Sequence, residues 1–185
     1  MKKRELMVTI GTVAALLAAL GGGAIYAADK YTLSVPGGLP FSEFNGYESW
    51  ETISVSQGEK ALASIVGNPV MIKAYADGIP GNGMPFPDGA MMAKVHWAPQ
   101  KLQTFPGPNV PGALLDVDFM VKDSKRFADS GGWGYAVFKY DSANATYRPG
   151  TTSDQPPQAN DAKCGFACHT VVKNRDYVFT DYGKR

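Results

Sequence analysis

The stretch AMMAKVHWAP, residues 90–99, decides the fold. Its side chains alternate as an extended chain requires: Met91, Ala93, Val95 and Trp97 share one face, and Met92, Lys94 and His96 share the other. Two later stretches repeat the pattern, ALLDVDFMVKD (113–123) and GWGYAVFKYD (132–141). In the first of them Leu114, Asp116, Asp118 and Met120 lie opposite Leu115, Val117, Phe119 and Val121. Turn-rich loops separate these stretches, TFPGPNVPG before the second among them, so neighbouring strands are expected to run antiparallel.

Upstream, SWETISVS (49–56) and LASIVG (62–67) also read as strands. The second runs into Asn68-Pro69, an N-cap followed by proline at the first helical position, which predicts a short helix over Pro69–Asp77 that stops at Gly78. GIPGNGMPFPDG (78–89) reads as a long loop. RPGTTSDQPPQAND reads as another, followed by AKCGFACHTVVKN, a candidate helix. There is no internal repeat. The expected class is α+β, predominantly antiparallel sheet with short helices, one of them C-terminal.

The first residues stand apart. Lys2, Lys3 and Arg4 precede an apolar run from Leu6 to Leu20 and a small-residue exit near Ala27 or Ala28, the layout of a secretory signal peptide. The other reading is an uncleaved anchor, but the run is broken by Gly11 and falls short of the ~20 residues that a span needs. We take residues 1–28 as a leader and 29–185 as a single domain, large enough to bury a core. The net charge of +1 turns to about −1 once the leader's three basic and one acidic residues are removed, and nothing suggests nucleic acid as a partner. Exposed strand edges make a homodimer an expectation. Export would place the domain in the periplasm, where a disulfide can form and where c-type haem is attached.

Both of the chain's cysteines fall in AKCGFACHT, with His169 directly behind the second. A covalent haem needs two thiols for its vinyl groups and an imidazole for its iron; Cys164, Cys168 and His169 supply them. The spacing is C-x-x-x-C-H, one residue longer than usual between the thiols, which lengthens the thioether loop and leaves the histidine beside the second cysteine. A local disulfide with an incidental histidine is the other reading of the same residues.

The surrounding sequence resembles the cytochrome P-460 family of periplasmic haem proteins, which includes the cytochromes c-prime-beta. The resemblance rests on FSEFNGYESWETISVS (41–56), NPVMIKAYADG (68–78), FPDGAMMAKVHW (86–97), VDFMVKDSKRFADSGGWGYAVFKYD (117–141) and CGFACHTVVKNRDYVFTDYGKR (164–185). Its most specific parts are VKDSKRF, the Gly-Trp strand after it, and a Cys/His motif followed closely by DYVFT; the three-residue cysteine spacing departs from the commonest family pattern.

That resemblance implies one c-type haem held by Cys164 and Cys168, His169 as proximal ligand, and an open distal side. It also implies a lysine bonded to the porphyrin edge, which enables hydroxylamine oxidation; Lys94, in the strand after Asp88-Gly89, occupies the matching place. From alternation alone, Lys94 points to solvent if the Met91 face is the core, and into the haem pocket if its own face lines one, where burial favours the neutral amine. A distal carboxylate would serve as general base, and the resemblance favours Asp118 over Asp116. Arg126 reads either as part of a charged turn or as a partner for a haem propionate. His96 reads as an ordinary sheet histidine; Met71, Met84, Met91, Met92 and Met120 are possible iron ligands, though methionines usually fill cores.

The expected function is therefore oxidation of hydroxylamine to nitric oxide or nitrous oxide, with a soluble cytochrome accepting the electrons. The alternative is a protein that binds nitric oxide or carbon monoxide without catalysis, in an aromatic pocket for which Phe41, Phe44, Phe86 and Phe138 are the candidate walls. A six-coordinate electron carrier comes last.

Overall fold

In the computed structural model, residues 30–35, 38–150 and 160–184 are described; the leader and most of the Pro/Ser/Asp loop before the cysteines lie outside them. Six strands pair in sequence order, each antiparallel to the next: β1 Glu51–Gln57, β2 Leu62–Gly67, β3 Met91–Lys101, β4 Asn109–Lys122, β5 Trp133–Asp141 and β6 Thr146–Pro149. Two short α-helices accompany the sheet, α1 Pro69–Ala76 and α2 Asn160–His169, with several 3-10 turns. The class is α+β, mostly antiparallel sheet.

The helix expected after LASIVG forms for the expected reason. Asn68 caps α1 by accepting a hydrogen bond from the Met71 N–H at 2.9 Å, Pro69 opens the first turn, and Gly78 follows at φ +90°, a conformation open to glycine. Asn68 does more than cap. Its Oδ1 also accepts from the Met91 N–H at 3.1 Å and its Nδ2 donates to the Gly89 carbonyl at 2.8 Å. One side chain thus ties the helix start to the Asp88-Gly89 turn and to the first residue of β3.

The strand stretches come out with their alternation intact, but β3 and β4 run on into the Pro-rich loop. Pro99 faces Pro111 there, next to register shifts at Trp97, in a hairpin that extends past the last residues paired with β2 and β5. Proline is tolerated at such edges because no further strand requires its missing N–H. The loop expected from Arg148 onward takes in the last two residues of the short β6.

The sheet is buried on both faces. Ala93, Val117, Phe119, Val121, Ala136 and Phe138 form one core with Val35, Leu39, Phe41, Phe44 and Tyr47 from the chain before β1. There Phe44 stacks on Phe119 at 4.0 Å, and Phe41 meets Phe119 and Phe138 edge-on at 5.3 and 4.8 Å. The other face holds Ile65, Met92, Met120, Trp133 and Tyr135 against Met71, Ala74 and Tyr75 of α1, Phe86, and Tyr177 and Val178 of the C-terminal segment. The two orientations considered for Lys94 are therefore not exclusive. The Met91 face is core, and the Lys94 face is covered as well.

Candidate functional site

On that second face, beyond the α1 core, the sheet and the C-terminal segment enclose a cavity of about 670 Å³. This is within the range of ~300–1,000 Å³ for pockets that take cofactor-sized ligands. The sheet lines it with Met92 and Lys94 of β3, Asp118 and Met120 of β4, and Tyr135 and Val137 of β5. Cys168 and His169 at the end of α2 line it too, with Val178, Phe179 and Thr180, and β1 and β2 add Ser54, Ser56 and Ile65. Residues from two strands and from a helix some fifty positions later thus meet at one site: Lys94, Asp118, Cys168 and His169.

The approach of α2 to the sheet depends on Gly165, within the cysteine motif. A Cβ there would lie 2.7 Å from Cδ1 of Tyr135, so a larger residue would hold the helix off β5. The Cys168 thiol is free and exposed. Position 164 lies in α2, but its side chain is outside what the structure describes.

His169 is aimed by a single hydrogen bond. Its Nδ1 lies 2.6 Å from the Tyr177 carbonyl oxygen. A carbonyl only accepts, so Nδ1 carries the proton and Nε2 keeps its lone pair free for a ligand bond. Burial pushes the imidazole's pKa down, the Tyr177 carbonyl partly opposes this, and the Lys94 ammonium adds to it, so the neutral, ligating form is favoured. Tyr135 and Phe179 pack around the ring, at 5.3 and 4.8 Å between centroids.

The Tyr177 carbonyl is held in turn. Asp176 and Tyr177 take left-handed conformations, φ 49° and 64°. The Asp176 carboxylate accepts from the Lys122 ammonium at 2.7 and 2.9 Å and from the Phe86 N–H at 2.8 Å, while its carbonyl accepts from the Trp133 indole at 2.8 Å. Lys122 also donates to the Gly131 carbonyl at 3.0 Å. A Cβ on Gly131, itself at φ +69°, would stand 2.2 Å from the Tyr177 ring. The residues of VKDSKRF, the Gly-Trp strand and DYVFT thus converge on the orientation of one imidazole.

Lys94 is half-buried and makes no hydrogen bond or ion pair within the described residues, although it stands directly across the strand pair from Asp118. Next along the same face, Nδ1 of His96 lies 2.6 Å from Oδ1 of Asp116 and 3.8 Å from Oδ2 of Asp118. Arg126 is not brought to the cavity. Its guanidinium forks onto both Glu43 oxygens, at 2.7 and 3.2 Å, and packs over Phe127, so its partner is a carboxylate of the N-terminal segment. Nor do the four phenylalanines suggested as pocket walls line it: Phe41, Phe44 and Phe138 are in the opposite core, and Phe86 is buried beside Tyr75 and Trp133. Phe179, not singled out from the sequence, is the phenylalanine beside His169.

The donor set suits a haem. It offers a neutral imidazole with Nε2 free, an adjacent thiol, a mostly hydrophobic wall, and the Tyr135 hydroxyl, a buried polar atom that no described group satisfies. A search among curated proteins returns no match. The family model for cytochrome P460 matches residues 44–180, which span the sheet, the cavity and the cysteine motif. The chain belongs to the cytochrome P460 family, whose members imply a haem cofactor.

Proposed function

We propose that this chain is a periplasmic c-type haem protein that oxidises hydroxylamine to nitric oxide or nitrous oxide and passes the electrons to a soluble cytochrome. The observation that carries this reading is Lys94: a lysine with no ion pair among the described residues, on the wall of the cavity that also presents His169 and Asp118.

Cys164 and Cys168 on α2 would hold the haem and His169 Nε2 its iron, with Lys94 as the amine that bonds the porphyrin edge. When bound, the haem supplies the redox-active centre. The protein's own groups do the remaining work. Nδ1–H of His169 donates to the Tyr177 carbonyl, which fixes the tautomer and enriches Nε2. Met92, Met120 and Val137 give the cavity an apolar wall. Asp118, on the cavity wall, takes protons released by the substrate nitrogen.

Intact mass and the visible spectrum of the exported protein test this. Haem mass with a strongly red-shifted ferrous band, lost in Lys94→Ala, supports the enzyme. Haem mass with an ordinary c-type spectrum and no hydroxylamine oxidation replaces it with a gas-binding protein, and the mass of the bare polypeptide removes haem altogether.

A further inference from the structure

The pair of His96 and Asp116 lies just outside the cavity, and neither residue is needed to hold a haem. His96 is nonetheless not placed as an ordinary sheet histidine. The same Nδ1 faces two carboxylates, Asp116 at 2.6 Å and Asp118 at 3.8 Å, and of the three side chains only Asp118 lines the cavity. The imidazole is the most enclosed of the three, with 17% of its side-chain surface exposed against 28% for Asp116 and 41% for Asp118.

We infer that Asp118, His96 and Asp116 form a relay that carries protons from the cavity to solvent, an inference that rests on the proposed oxidation of hydroxylamine. A proton leaves the substrate nitrogen for the Asp118 carboxylate. With the ring doubly protonated, Nδ1–H of His96 gives its proton to Asp116 across the 2.6 Å contact, and Asp116 releases it to water. The neutral ring then rocks toward Oδ2 of Asp118 and accepts the substrate's proton on the emptied Nδ1, which restores both the carboxylate and the ring. One proton enters and one leaves, and all three groups return to their starting forms.

The charged neighbours on this face suit that traffic. Lys94 is two residues away on β3, Lys139 of β5 stands across from Asp116, and Arg148 of β6 stands across from Lys139. Opposite His96, β2 contributes Ala63 and no charge, and β1 presents Ser56 beside it.

The test uses the haem-loaded full-length protein, its His96→Gln, Asp116→Asn and Asp116→Glu variants, and two readouts. The first is the infrared C–O stretch of the ferrous carbon monoxide adduct against pH, which reports charge near the cavity without turnover. It should change with pH in the wild type and not in His96→Gln. The second is the pH profile of kcat. His96→Gln and Asp116→Asn should lose ~10-fold or more in kcat with KM kept, and added imidazole and Asp116→Glu should restore part of it.

A His96→Gln protein that keeps the pH-dependent infrared change and the rate overturns the relay, as does a lost rate that neither imidazole nor Asp116→Glu restores. The three donor atoms also lie within 4.8 Å of one another, a spacing that suits a divalent cation. Zinc bound by the wild type and not by Asp116→Asn, with no pH-dependent infrared change, would assign them to a cation instead. A wild type that binds haem and shows the pH-dependent change but oxidises no hydroxylamine overturns the proposed reaction, and leaves the link between His96 and the cavity standing.

Discussion

Asp176 shows how much a single residue of this chain can be asked to do. Its carboxylate neutralises a lysine that is 6% exposed while itself only 11% exposed, and its backbone presents the neighbouring carbonyl to His169. Removing one partner of a buried ion pair leaves the other charge stranded, so Asp176→Asn is expected to cost about 3 kcal/mol or more. Urea denaturation measures that loss. Adding Lys122→Met to the same variant should recover part of it, because the stranded ammonium is then gone. The sequence did not disclose this pair: Lys122 opens KDSKR, which reads as a charged turn, and its partner lies 54 residues away. Arg126 in the same run is closer to the plain reading, paired with Glu43. Side-chain partners that distant leave no periodic trace, whereas the neighbouring cysteine and histidine positions can be read directly.

At the scale of elements, the legible features were those with local causes. Alternation announced the strands, and Asn68-Pro69 with Gly78 bounded α1 because capping is settled within a few residues. The extended β3–β4 hairpin and the end of β6 carry proline and turn residues that argue for loop, while pairing with a neighbouring strand decides otherwise. Asn68 connects α1 to the strand that bears Lys94, which makes its loss larger than that of an ordinary cap. A cap residue replaced by alanine costs ~1 kcal/mol, and the added bonds to Met91 and Gly89 raise the expected cost of Asn68→Ala to about 2 kcal/mol. Thermal unfolding checks the size, and amide exchange should show the loss concentrated at Met71 and Met91.

For the whole molecule, the decisive feature is a sheet covered on both faces. From the sequence, Met92, Lys94, His96, Asp116 and Asp118 look like a half-polar outer face; what encloses Met92, Lys94 and Asp118 in the cavity wall is α2 and the C-terminal segment, which no strand pattern can reveal. One face then carries the packing of the N-terminal segment and the other carries the site. Phe41, fully buried among Phe119, Phe138 and Tyr47, belongs wholly to the first. Phe41→Ala is expected to lower stability by about 3–5 kcal/mol in denaturant titration while the visible spectrum of the folded, haem-loaded protein stays that of the wild type. A spectral change would mean that the two faces are coupled through β3 and β4.

The hold on His169 also implies an order of assembly. The hydrogen bond from its imidazole to the Tyr177 carbonyl spans only eight residues, but that carbonyl is positioned by Lys122 and Trp133, which lie on β4 and β5. The imidazole acquires its direction only when the C-terminal segment has docked on the finished sheet. A chain whose sheet is finished but whose C-terminal segment has not yet docked carries a histidine that is not yet aimed.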